Sequence, residues 1–186
     1  MTNVEPFTAE DFAAVSALTL DAWQSGLERD WSVPAGTLEW SCFRTADHVI
    51  DCVFSYAFFL ASRAQTAYPP FGEVHALPEA TPADLVDGLR ATTNLLYAAV
   101  VAAPPGTQAI ITRHPRPRTG SPEDFAARGG HELILHAYDV SCGLDVPFDP
   151  PREICQRLMD HTVDGPFGDV VRTDDPWSDL LRRSGR

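Results

Sequence analysis

Lysine is missing from this sequence: every one of its 14 basic residues is arginine, set against 26 acidic ones, for a net charge of -12. A chain of this sign is repelled by phosphate backbones, which need clustered positive side chains to neutralise them, so nucleic acid is excluded as a partner. The all-arginine usage reads as a matter of overall composition rather than a device for gripping anions. No run of eighteen or more apolar residues occurs, which excludes a membrane-spanning helix of ordinary length. Met1 to Glu10 is acidic and lacks the basic and apolar halves of a secretion signal, so the expectation is a cytoplasmic protein. The four cysteines, Cys42, Cys52, Cys142 and Cys155, show no CxxC spacing, which excludes a zinc ribbon and a thioredoxin-type motif. They are expected as reduced core thiols. Cys52 stands four residues after His48 and could face the same site, but a buried cysteine acting as a small hydrophobe is the preferred reading.

What is present is an ordinary globular balance over 186 residues, 44% hydrophobic and 22% charged, which fits one domain spanning residues 1–186. Thr8 reads as a cap before a first helix from about Ala9 to Asp30. The most hydrophobic segment predicts a second helix from about Thr45 to Ala64, with Thr45 as its cap and His48 in its first turn. Thr81-Pro82 opens a third, to about Ala103, stopped by Pro104-Pro105-Gly106. Gln108 to Thr112 could be a short extended piece. Ser121-Pro122 caps a fourth helix running to about Cys142, where Gly143 reads as a stop. A shorter helix follows from about Arg152 to Thr162, and Pro176 to Leu181 can form a docking turn that lays Trp177 and Leu181 over the rest. The fold class expected is all-α: a four-helix bundle with long connections and a short extra C-terminal helix.

The chemistry is concentrated in Gly129 to Asp139. At about 100° per residue, Glu132 and His136 lie about 40° apart on a helix, and Asp139 falls on the same stripe one turn later. His131 and His136 are five apart and point away from each other, so this is not the HExxH pattern of zinc peptidases, which needs two histidines at i and i+4. Helical bundles build metal sites from inward histidines and carboxylates on separate helices. His48 with Glu132 and His136 would supply two nitrogens and an oxygen, a set that suits catalytic zinc with a position left open or a facial-triad iron. Spacing alone leaves this beside the plainer reading of a satisfied core histidine and a surface acid. Arg113, Arg116 and Arg118 form a basic, proline-broken loop that could hold an anionic substrate, against the simpler reading of a solvated linker.

Taken together, Trp40, His48 eight residues on, and Glu132-x-x-x-His136-x-x-Asp139 resemble the metal-binding N-terminal domain of mycothiol-dependent maleylpyruvate isomerases, within the DinB-like superfamily. Pro176-Trp177-x-x-Leu180-Leu181-x-x-x-Gly185-Arg186 resembles the end of single-domain relatives. The resemblance implies a DinB-like four-helix bundle holding a divalent metal, usually zinc with nickel or iron as alternatives, on His48, Glu132 and His136. It places Asp139 close by, to orient a ligand or take a proton, and implies a low-molecular-weight thiol such as mycothiol as cosubstrate. The two-domain isomerases bring an arginine from a second domain to the substrate, and here Arg113, Arg116 or Arg118 are the candidates for that charge. The expected activity is metal-dependent thiol transfer or isomerisation of a small, electrophilic, anionic molecule. A hydrolase using a bound water, or a non-catalytic binding or regulatory module, stands as the alternative. A homodimer is left open.

Overall fold

Three of the long helices begin with the same local device. Thr8, Thr81 and Ser121 each accept the backbone N–H of an aspartate three residues on, and that aspartate's side chain returns a bond to the capping residue's own N–H. Each such box satisfies two donors that the first helical turn leaves without partners. In the computed structural model, which describes residues 6–71, 73–112, 117–161 and 171–186, these caps open α1 (Ala9–Ser25), α3 (Pro82–Val101) and α4 (Pro122–Leu144). The other described elements are α2 (Cys42–Ser62), β1 (Ala109–Thr112), β2 (Arg118–Gly120), α5 (Arg152–His161) and α6 (Pro176–Arg183). Arg113, Arg116 and Thr162 lie outside the described residues. No described helix is long and apolar enough to cross a membrane.

The molecule is predominantly helical. α2 packs on α3 and α4, α1 packs on the same two helices, and α5 and α6 pack on each other, with α5 also against α4. Phe12, Val15 and Trp23 of α1, Val49, Val53 and Leu60 of α2, Leu85, Leu89 and Leu96 of α3, and Phe125, Leu133 and Ile134 of α4 are essentially removed from water and form the core. Burying each such side chain stabilises the fold by about 1.5–3 kcal/mol before entropy is counted. Between α1 and α5, Arg157 grips the buried Asp11 with two nitrogens, at 2.9 and 2.5 Å.

Several boundaries differ from the sequence reading, each for a local reason. α1 stops at Ser25 because Gly26 caps it, and the Gly26 carbonyl accepts the Trp31 indole N–H at 3.0 Å. α2 starts at Cys42 and not at Thr45. Its first donors find partners outside the helix: Cys42 N–H on the Val33 carbonyl (2.8 Å), Phe43 N–H on the Trp31 carbonyl (2.9 Å), and Arg44 N–H on Ser41 Oγ (3.2 Å). Ser41 is the cap, and His48 therefore sits in the second turn. Gly143 lies inside α4 and is no stop; a Cβ there would come 2.4 Å from Cys42 Sγ and 2.5 Å from the Pro34 carbonyl, so glycine lets α4 meet the start of α2. Gly129 does the same toward α3 and α1, where a Cβ would stand 2.6 Å from Leu96 and 2.8 Å from Phe12.

Beside the expected helices stands one small antiparallel sheet, Ala109 opposite Gly120 and Ile110 opposite Thr119. Its second strand has only three residues, too few to show an alternating pattern, and follows a run of prolines. Of the cysteines, all free, Cys42 and Cys155 are buried as expected, Cys52 is half-buried and Cys142 is exposed. Burial pushes the Cys42 thiol up to about 11 and the Cys155 thiol to about 12, so neither is a nucleophile at neutral pH. Trp177 and Leu180 of α6 are buried, while Leu181 is only partly covered.

Candidate metal centre

Two facing stripes make the site. On α2, His48, Cys52 and Tyr56 follow one another at four-residue steps; on α4, Arg128, Glu132 and His136 do the same, with Asp139 a further turn on. Each four-residue step rotates a helix by only about 40°, so each series stays on one side. The pairing of α2 with α4 then brings the stripes together.

Glu132 is the centre of the arrangement. Its Oε2 stands 3.9 Å from His48 Nε2 and 3.6 Å from His136 Nε2, while its Oε1 accepts the Tyr56 hydroxyl at 3.1 Å. Both imidazole distances are too long for hydrogen bonds. The His136 distance matches the roughly 3.3–3.6 Å that separates two ligands each about 2.0–2.2 Å from a shared tetrahedral ion, and the His48 distance is a few tenths of an ångström longer. The two imidazole rings stand edge to face with centroids 5.5 Å apart.

Cys52 belongs to the same cluster. One ligand atom each from His48, Cys52 and Glu132 lies within 4.8 Å of the others, and the sulfur is 3.6 Å from His48 Nε2; His136 approaches Glu132 but falls outside this mutually close group. Burial, reinforced by Glu132 and Asp51, pushes the Cys52 thiol far above its ordinary range, with Arg128 opposing. Burial also holds His48 below the usual imidazole value, although Glu132 pulls it back up, which favours the neutral ring whose lone pair a metal needs.

His136 is held from behind. Its Nδ1 meets Asp139 Oδ2 at 3.0 Å, and Arg186 closes on that carboxylate with Nε to Oδ1 at 2.9 Å and Nη2 to Oδ2 at 2.6 Å. Burial alone would raise the Asp139 carboxyl, but the His136 and Arg186 bonds outweigh it and hold it below the usual range. A histidine tied at Nδ1 to a carboxylate presents Nε2 to a metal, the outer-shell arrangement that metal-binding histidines use. Arg186 is itself placed by the end of α6. Gly185, at φ +79, bonds the Arg182 carbonyl, and Arg186 N–H reaches back to the Leu181 carbonyl at 2.9 Å. This is a Schellman turn, which requires the left-handed residue that glycine supplies.

Exposure falls from one end of the cluster to the other: the side chains of His48, Glu132, His136 and Asp139 are 35, 23, 17 and 2% exposed. The open end is walled by Trp40, edge-on to His48 at 5.3 Å and covered in turn by the Arg44 guanidinium at 4.4 Å. A separate cleft of about 420 Å³, lined by Asp47, Ile50, His75 and Leu85 among others, opens between α2 and α3 without including these donors.

The structure therefore brings His48, Glu132, His136 and Asp139 into one place. Arg118 lies elsewhere: β1, its neighbour in the sheet, is tied to the Ala64 carbonyl just past the end of α2, and roughly 21 Å of helix separates His48 from Ser62. Sequence reasoning passed over Tyr56, Arg128 and Arg186. Tyr56 and Arg128 carry the i±4 signal of their stripes, whereas Arg186 reaches Asp139 across 47 residues and had no local signal beyond its place in the closing motif.

The fold and donors define a helical protein with a His/Cys/Glu group able to hold a metal ion. No protein-family model, curated protein or solved structure matches the chain.

Proposed function

We propose that this chain is a metal-dependent thiol transferase or isomerase built on a DinB-like four-helix bundle, acting on a small electrophilic and anionic substrate with a low-molecular-weight thiol, of the mycothiol type, as cosubstrate. The observation that carries the reading is the placement of one Glu132 oxygen between the Nε2 atoms of two histidines from different helices, 3.9 and 3.6 Å away, so that a small inward shift of the imidazoles would let them share an ion. His48, Glu132 and His136 would hold it, and zinc suits two imidazoles and a carboxylate. Such an ion, when bound, supplies the Lewis acidity that makes a thiol nucleophilic at neutral pH.

The residues around the donors have definable tasks. Tyr56 occupies Glu132 Oε1 and leaves Oε2 directed at the imidazoles. Asp139 fixes the His136 ring and, being almost wholly covered by His136 and Arg186, acts through that histidine as a positioning residue. Trp40 and the half-open His48 form the rim by which a substrate enters. Arg128 is the described cation whose charge reaches Cys52 and Tyr56, and it is the candidate for meeting the anionic part of a substrate.

The test is metal content and thiol dependence together. Protein purified without tags or chelators should carry a divalent ion in proportion to chain, lose it in His48→Ala, and consume an electrophile such as a maleyl or epoxide compound only with thiol present. Turnover of an ester without thiol would instead assign the site to hydrolysis. Absence of any bound ion in both proteins would remove the reading.

A further inference from the structure

We propose that Cys52 is a further ligand of this centre, a thiolate donor beside His48, Glu132 and His136. The inference rests on the metal reading above and extends it to a residue that three-ligand site does not use.

The argument begins with position. Cys52 follows His48 by four residues, on the α2 face that meets α4, and it is half-buried among groups that each have a use at the centre. Its sulfur stands 3.6 Å from His48 Nε2 and 3.8 Å from Nδ1. Being nearly equidistant from the two nitrogens, it lies beside the ring, along neither N–H and off the Nε2 lone pair, so sharing an ion requires the His48 ring to turn. The shorter distance equals the roughly 3.6 Å expected between a sulfur about 2.3 Å and a nitrogen about 2.0–2.1 Å from one tetrahedral zinc. Of the described histidine, cysteine and acidic side chains, His48, Cys52 and Glu132 form the group whose ligand atoms all fall within 4.8 Å of one another.

A free thiol in this place is poorly explained by packing alone. It faces a carboxylate and an imidazole, whereas the two fully buried cysteines, Cys42 and Cys155, belong to the apolar core. Binding would proceed with loss of the thiol proton to solvent as the sulfur–metal bond forms, with no change of oxidation state. His48, Cys52 and Glu132 supply one nitrogen, one sulfur and one oxygen, and His136, drawn in from beside Glu132, would add the second nitrogen that completes the donor number of a closed zinc site. Sulfur also turns the preference toward zinc and cobalt and away from magnesium, calcium and manganese, which favour oxygen. Cys52 then becomes the donor that an incoming thiol must displace.

Cobalt(II) titration of the full chain tests this, because a thiolate on cobalt gives a near-ultraviolet charge-transfer band that nitrogen and oxygen ligands do not give. The wild-type protein and Cys142→Ser should both show the band at one ion per chain. Cys52→Ala and Cys52→Ser should bind cobalt with the band gone and at least about tenfold more weakly, since even outer partners of metal ligands contribute that much. Circular dichroism checks that these small substitutions leave the helices intact. Cobalt bound by the wild type with no such band, or a band that survives in Cys52→Ala, overturns the role of Cys52 and leaves the three-ligand reading standing. No cobalt bound by the wild type, or equal binding by His48→Ala, overturns both.

Discussion

Arg186 holds both oxygens of Asp139, and the oxygen nearer to Arg186 also meets His136 Nδ1. A helix that supplies no donor thus sets the orientation of one that does. Replacing the arginine leaves a carboxylate that is 2% exposed with half its pairing gone. Arg186→Leu is expected to lower stability by about 3 kcal/mol, the usual cost of breaking a buried pair from one side. It should also weaken zinc binding by roughly tenfold through loss of the His136 orientation. Thermal unfolding and a zinc titration check the two effects separately, and an unchanged zinc affinity would mean that Asp139 needs no help from α6.

Glu132→Gln keeps the shape of the side chain and removes its charge. Metal per chain, measured by mass spectrometry after dialysis against dilute zinc, should fall by at least about tenfold, more than for Tyr56→Phe, which removes only a bond to the far oxygen. Equal retention in both variants would show that Glu132 is not a ligand.

His131, next to Glu132 in sequence, is turned into the protein and 5% exposed, and burial, with Arg128 and Arg183 adding repulsion, holds its pKa down at about 3. The unfolded chain takes up this proton near pH 6.5 and the folded one only near pH 3. The folded state therefore loses stability as pH falls through that window, by up to about 1.4 kcal/mol per pH unit. His131→Gln has no proton to gain. Urea unfolding at pH 7 and pH 5 should find the variant's disadvantage reduced by about 2 kcal/mol at the lower pH. A gap of the same size at both would contradict a neutral buried imidazole.

Gly143→Ala should destabilise the protein despite the better helix propensity of alanine, which is worth about 1 kcal/mol. The new methyl would press on the Cys42 sulfur and on the Pro34 carbonyl, and the latter is backbone held by the Pro34 to Ser41 pairing. A net loss of about 1–2 kcal/mol is expected from crowding. A chemical denaturation curve at neutral pH measures it, and a gain would mean that α2 and α4 can separate freely at that end.

Much of the helical frame was readable because its signals are local. Thr81-Pro82 and Ser121-Pro122 carry cap and first helical residue within a few positions, and both helices begin there. Ser41 was passed over because its helix is started by carbonyls of Trp31 and Val33, which approach only once the chain has turned back. The hairpin was half visible: Ala109 to Thr112 is apolar and β-branched, but its partner is three residues long. At the site, the spacing of Glu132 and His136 defines a shared face, while the proximity of His48 depends on how α2 meets α4, which no spacing within one helix determines. Cys52 was noticed for its place four residues after His48 and then assigned to the core, since a thiol's sequence context does not reveal whether a carboxylate will face it.

The clamp on Asp139 also sets an order of events during synthesis. Asp139 leaves the ribosome 47 residues ahead of Arg186, an interval of about 2–9 s at 5–20 residues per second. Throughout it, the Arg186 guanidinium that clamps the acid has yet to be made, and of the two partners only His136 is present. The nascent chain can gather its imidazoles early, but the cradle becomes rigid only when the tail winds onto it.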